Sequence, residues 1–328
     1  MMSATRGVAA ATLVLTLSAL PAVAADTIRV GVLKFGTVNW EMDVIKAHGL
    51  DAKHGFALEL VEVANNEATK IGLQGGNMDV IVSDWLWVSR QRTEGGDLTF
   101  VPFSSAVGAV MVPPQSAVAN LGDLKGKTIG VAGGPLDKNW LMIQAAARKD
   151  FGVDLATEAE PVFGAPPLLA EKAAQGELDA SLNFWNYCAK LEAKGFKRLY
   201  SGSDAAQALG AGGDAAAIGY VFSDAFADAH EAAMKGFVAA SREAKEILRT
   251  SDAEWERLRP IVRPADDAEL AILRDRFREG IPTAPLADEI ASAKKVYGLM
   301  VELGGETLVG SGRELAEGTY WPGQADAM

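Results

Sequence analysis

Cysteine and histidine are almost missing from this chain. One cysteine, Cys188, and three histidines, His48, His54 and His230, are spread over 328 residues. A single thiol makes no internal disulfide and no cysteine metal cluster, and the histidines have no metal-ligand spacing with it. His48 and His54 bracket a helix end and a turn and are expected to face solvent. Also absent are the nucleophile elbow G-x-S-x-G, a phosphate-cradling P-loop and the zinc motif H-E-x-x-H. Gly130–Gly134 lacks the glycine spacing of a dinucleotide fingerprint. No catalytic residue, metal or cofactor is therefore expected, and the chain reads as a binding protein rather than an enzyme. Basic residues are in deficit too, 31 against 43 acidic, for a net charge of −12. With no basic cluster, that balance disfavours nucleic acid and an anionic membrane surface as partners.

Long apolar runs are scarce beyond the start of the chain. Arg6 followed by the apolar Val8–Leu20, Pro21 and the small-residue Ala22-Val23-Ala24 reads as a secretory signal peptide. The run is too short to span a bilayer. Residues 1–25 are thus expected to be removed, by cleavage after Ala24 or Ala25, which predicts a soluble periplasmic protein. Cys188 lies well past that point and is no lipid anchor.

What is present is a repeat. Gly76–Trp87, GNMDVIVSDWLW, runs from a turn through a β-branched strand into Ser83-Asp84-Trp85. One hundred residues on, Gly176–Trp185 repeats G-x-x-D followed, after five residues, by Trp. Upstream, Gly31-Val32 leads to Asn39-Trp40, and Gly130-Val131 leads to Asn139-Trp140. Recurrence of the elements in the same order predicts two similar α/β lobes. Within the first, strands fit Thr27–Leu33, Phe56–Val63 and the run ending at Ser83, with helices between them. Phe100–Val112 reads as a first crossing strand between lobes and Ile218–Phe222 as a second, with Ser201–Ala217 a loop. The expected division is lobe one over 26–112 plus 219–328 and lobe two over 113–218. From Ser223 onward the pattern is helical, and this tail is expected to pack on lobe one.

Ligands of open α/β sheets bind beyond the carboxyl ends of the strands. Five of the seven tryptophans, Trp40, Trp85, Trp87, Trp140 and Trp185, fall just beyond expected strands, joined by Phe35, Phe163 and Phe184. Facing lobes would thereby acquire aromatic walls. Core packing is the competing assignment for these rings, above all for Trp87 and Trp140. Asp84 and Glu41 beside the tryptophans favour a heteroaromatic amine or an alkylammonium ligand, while Lys34 and Lys138 leave room for an anionic group. Gly133 and Gly134 permit close approach of backbone to a ligand.

These motifs resemble the periplasmic solute-binding proteins of ABC importers, in the nitrate/taurine/alkanesulfonate group and its thiamine-pyrimidine-precursor relatives. The likeness rests on IRVGVLKFG at 28–36, His48-Gly49-Leu50 followed by His54-Gly55-Phe56, Gly76-x-x-Asp79-Val80, LGDLKGKTIGVAGG at 121–134 and GELDASLNFWNYCAKLEAKGFKRL at 176–199. It implies a type II periplasmic binding fold: two Rossmann-like lobes, two crossing segments and a ligand between lobes that close on it. It also implies a monomer that delivers its ligand to an inner-membrane ABC permease with a cytoplasmic ATPase. By motif position, the cleft would be lined by Phe35, Asn39, Trp40, Ser83, Asp84, Trp85, Ser104, Gly133, Gly134, Pro135, Phe163, Asn183 and Trp185. Where sulfonate binders often carry a small hydroxyl residue at the helix start, this chain has Gly134-Pro135-Leu136-Asp137. A heteroaromatic or amine-containing ligand is the expectation, with a sulfonate, taurine or nitrate-type anion as the alternative and an enzyme on the same two-lobed scaffold ranked behind both. The cysteine-rich motif of the pyrimidine-synthesising enzymes of the wider fold is absent.

Overall fold

A computed structural model describes residues 25–213 and 215–325. The expected signal segment falls outside the described residues, Ala25 excepted. The first part of the chain gives β1 (Asp26–Leu33), α1 (Val38–Ala47), α2 (Leu50–Lys53), β2 (Phe56–Val63), α3 (Asn66–Gln74), β3 (Val80–Ser83), α4 (Trp85–Thr93) and β4 (Leu98–Ser104). The second gives β5 (Ala109–Val112), β6 (Thr128–Ala132), α5 (Lys138–Phe151), α6 (Leu155–Glu158), β7 (Glu160–Gly164), α7 (Pro166–Ala174), β8 (Ala180–Asn183), α8 (Trp185–Ala193), β9 (Lys197–Ser201) and α9 (Gly202–Ala208). The chain then returns through β10 (Ile218–Ser223) to α10 (Asp224–Ala229), α11 (Glu231–Thr250), α12 (Asp252–Val262), α13 (Asp267–Glu279) and α14 (Leu286–Val309).

Two five-stranded sheets result, in the orders β2-β1-β3-β10-β4 and β7-β6-β8-β5-β9. In each, three strands are parallel and the fourth, which arrives from the other half, is antiparallel. The repeat seen in the sequence is a repeat of hydrogen bonds. Asp79, just before β3, accepts from the Arg29 amide at 2.8 Å, and its own amide returns a bond to the Arg29 carbonyl. Asp179, just before β8, accepts from the Thr128 amide at 2.9 Å and returns a bond to the Thr128 carbonyl. Both aspartates therefore fix the register of a central strand against its parallel neighbour. Gly31 and Gly130 are matched in the same way. A Cβ on Gly31 would lie 2.4 Å from the Met78 sulfur, and one on Gly130 would lie 2.6 Å from Leu178 Cδ1. Only glycine lets those side chains cross the first strand of each unit.

Four expectations need correction. Phe100–Val112 is not one crossing strand. β4 ends at Ser104 in the first sheet and β5 begins at Ala109 in the second. The crossing lies at 105–108, where Gly108 packs so closely on β8 that a Cβ would fall 2.0 Å from the Asn183 carbonyl oxygen. The second crossing is not the strand Ile218–Phe222, which lies within the first sheet as β10. It lies ahead of that strand, in the stretch expected to be a loop, and contains α9, nucleated by a capping box: Ser201 Oγ accepts from the Asp204 amide and Asp204 accepts from the Ser201 amide. The surrounding glycines and alanines hid that signal. The helical tail packs on both lobes. α11 and α12 cover α1 of the first, α13 lies along α8 of the second, and α14 touches α4 and α5. His48 faces solvent as expected, with its Nε2 3.2 Å from Glu254 of the tail, whereas His54 is half-buried, its Nε2 2.9 Å from Glu243.

Candidate functional site

The carboxyl ends of β1, β3, β6, β7 and β8 carry the loops singled out in the sequence. Two contacts join them across the gap between sheets. Lys138 Nζ, at the start of α5, lies 3.1 Å from Asp84 Oδ1, at the start of α4. Trp40 of α1 meets Trp185 of α8 edge-on, ring centroids 5.9 Å apart and planes at 89°.

Asp84 and Asp137 occupy equivalent places. Each is the N-cap of the helix that follows its strand, accepting from the Trp87 and Trp140 amides respectively at 3.0 Å. Their titration differs. Burial pushes the Asp84 carboxyl up, but Lys138, the Trp87 amide and Lys70 outweigh it and hold the group below the ordinary carboxylate range. Burial also pushes Asp137 up, and there the amides of Trp140 and Asn139 and the charge of Lys138 do not compensate, so it stays above that range. A pair of adjacent carboxyls thus faces one ammonium. Gly133 (φ 90°) and Gly134 (φ 91°) are both left-handed, which wraps the loop over the Asp137 side chain.

The tryptophans are not open walls. Trp40 is 6 %, Trp85 4 % and Trp185 8 % exposed, so their faces are occupied by protein. Trp40 and Trp185 form a four-ring cluster with Trp255 and Phe277 of the helical tail. Trp85 donates its indole N–H to the Ala216 carbonyl at 2.9 Å, holding the second crossing. Trp140 is core, whereas Trp87 is half-buried with Lys70 Nζ 5.1 Å from its ring centroid. Glu41, considered above as a ligand for an amine, has no exposed surface and lies inside the first lobe, paired with Lys245.

Of the remaining candidates, Asn183 is buried, its amide donating to the Pro166 carbonyl and its oxygen accepting from the Phe184 amide. Ser104 is buried and accepts from the Ala106 amide. Asn39 is half-buried and donates to the Leu33 carbonyl. The accessible groups are Ser83, Asp84, Gly133, Gly134 and Pro135, together with Phe35, Phe163 and Phe184 at 61, 41 and 39 % exposure. The phenyl rings, not the indoles, carry the free aromatic surface. Sequence reasoning did not anticipate Trp255 and Phe277, because nothing local tells that a distant helical tail reaches the seam between lobes.

Cys188 is structural. Burial pushes its thiol up to about 11, and the sulfur sits 3.2 Å from the Asn183 carbonyl oxygen. Among the described residues no cluster of histidine, cysteine and carboxylate side chains could hold a metal ion, and no helix is long and apolar enough to cross a membrane.

The family model described as NMT1/THI5 like matches residues 44–252. No curated protein sequence matches the chain. Among solved structures, the Escherichia coli periplasmic aliphatic sulphonate binding protein superposes with a TM-score of 0.71 at 18 % identity, over 90 % of this chain and 92 % of that one. The alkanesulfonate-binding protein of Xanthomonas axonopodis pv. citri, bound to MOPS, gives 0.69 at 18 % identity, over 92 % and 99 %. The periplasmic nitrate-binding protein of Synechocystis gives 0.53 at 12 % identity, over 78 % and 69 %. At these identities the likeness is one of fold, the two-lobed fold of periplasmic binding proteins.

Proposed function

Because this chain belongs to the NMT1/THI5-like family, we propose that it captures a small organic ligand between its two lobes and passes it to the permease of an ABC importer. It makes and breaks no covalent bond. Its place of work is the periplasm, reached through the signal segment at 1–25. The moving units are the two sheet-centred lobes, which meet at the crossings 105–108 and 202–217.

The observation that carries this reading is the Asp84–Lys138 ion pair, which joins the two lobes where the loops beyond β3 and β6 face each other. The ligand is a heteroaromatic or amine-bearing molecule. A helix N-terminus ordinarily attracts an anion. At α4 and α5 that position is already filled by the chain's own carboxylates. A ligand ammonium or protonated ring nitrogen can replace the Lys138 ammonium between Asp84 and Asp137 and stack on Phe35 or Phe163. A micromolar site requires about −8 kcal/mol, within reach of one charge-assisted pair and two ring contacts. One feature favours the anionic alternative: α8 begins at Phe184 with no side-chain cap, so no carboxylate of the chain caps its amino end as at α4 and α5.

The test is native mass spectrometry of the purified protein for a retained small molecule, followed by titration of that molecule against tryptophan fluorescence. Asp84→Asn and Phe163→Ala are expected to weaken binding at least tenfold. Unchanged affinity in both variants would refute the site, and tighter binding of an anion by Asp84→Asn would establish the alternative.

A further inference from the structure

A second concavity lies away from the gap between sheets, on the seam where α7 and α8 of the second lobe meet the turn from α12 to α13. It encloses about 310 Å³. Tyr187, Lys190 and Leu191 line it from α8 at helical spacing, Lys194 from the residue that closes that helix, and Arg263 faces them from the turn. Three cations in one hollow stand out on a protein of net charge −12. Two carboxylates share the lining. Glu269 is 3.4 Å from Lys190, and Glu171 accepts from Gln175. Lys194, the terminal nitrogens of Arg263 and the Tyr187 hydroxyl have no polar protein partner among the described residues; Arg263 uses only Nε, on the Pro260 carbonyl at 3.3 Å.

Arg263 is also the one non-glycine described with positive φ, at 52°. It closes α12 in the left-handed conformation, where glycine is the usual residue. The next residue is Pro264, and the turn would be easier to make without a side chain. Strain of this kind is retained where the side chain has work to do.

We propose that this hollow binds a small organic acid, a carboxylate or phosphate head with a short apolar body. The Arg263 fork and Lys194 hold the head, Tyr187 donates its O–H to it, and Leu191 packs on the body. Such a ligand ties α8 to the α12–α13 turn. Trp185 at the start of α8 and Phe277 near the end of α13 already meet in the four-ring cluster between lobes. Occupancy would therefore stiffen this ring contact between the lobes, independently of the ligand in the main cleft.

Hexanoate and phenyl phosphate are suitable probes, titrated by calorimetry and thermal shift against the full chain. Wild type is expected to bind one of them with one-to-one stoichiometry, and the preferred probe identifies the head group. Arg263→Gly should raise the Tm of the unliganded protein by about 2 °C through relief of the left-handed residue. The same variant should weaken probe binding by roughly tenfold or more. Lys194→Ala should weaken binding with no change in Tm, and Asp84→Asn in the main cleft should leave it intact. The proposal is overturned if neither probe binds, if Arg263→Gly and Lys194→Ala bind as wild type, or if Asp84→Asn alone abolishes binding.

Discussion

Removing the carboxylate of Glu41 is expected to cost a large share of the protein's stability without altering its ligand. Glu41 has no exposed surface and accepts three bonds of 2.6 Å, from the Tyr220 hydroxyl, the Ser241 hydroxyl and the Lys245 ammonium. The Lys245 ammonium is nearly as buried, donates also to Ser241 at 2.8 Å and lies 4.5 Å from the Phe103 ring centroid. Glu41→Ala leaves that ammonium inside the lobe with its charge unopposed. Breaking such a pair from one side costs about 3–5 kcal/mol, against a total stability on the order of 5–15 kcal/mol. Urea unfolding should show a lower midpoint at unchanged slope. The double variant Glu41→Leu, Lys245→Met removes both charges and is expected to recover most of the loss. A single-variant loss below about 1 kcal/mol would refute the argument, as would a double variant no better than the single. Loss of ligand affinity in folded Glu41→Ala would return Glu41 to the binding site.

Asp84 and Asp137 should respond to pH with opposite sign. The Asp84 carboxyl is held below its unfolded value, so its contribution is present above the ordinary carboxylate pKa and is lost as pH falls through the folded one. Asp137 is held above its unfolded value, so its contribution is complete below the ordinary pKa and is lost as pH rises through the folded one. Asp137→Asn keeps the helix cap and should be neutral or stabilising at pH 7, whereas Asp84→Asn should destabilise by about 1 kcal/mol there; chemical denaturation at pH 4 and 7 checks both. Trp185→Ala should cost about 3–5 kcal/mol as a core truncation, and Trp185→Phe far less, with any loss of affinity following the loss of stability in thermal melts. Gly108→Ala drives a methyl into the Asn183 carbonyl and should cost about 1–3 kcal/mol, read from the urea midpoint.

The fold was legible because its rules are local. Asp79 and Asp179, with Gly31 and Gly130, sit at fixed spacing from the strands they serve, and each spacing survives in the linear order of residues. The β-branched runs and the caps Asn65, Asp84 and Ser251 are equally local, each cap accepting from the amide three residues on. What failed was long-range. The split of Phe100–Val112 depends on which sheet has a vacant edge, and the capture of Trp40 and Trp185 depends on Trp255 and Phe277, far along the chain. The site was legible as a set of loops and not as a set of exposed surfaces. A tryptophan beyond a strand looks the same in sequence whether a ligand or a helix covers it, and only burial separates Trp85 from Phe163.

The interleaved strand β10 sets an order of assembly. The second sheet draws its five strands from one continuous stretch, residues 109–201, whereas the first must keep a place between β3 and β4 for a strand that begins only at Ile218. A chain emerging from its amino end therefore finishes the later half before the earlier one. Until then the inner edges of β3 and β4 are unpaired, and a binding partner that shields them would act on this interval and not on the finished protein.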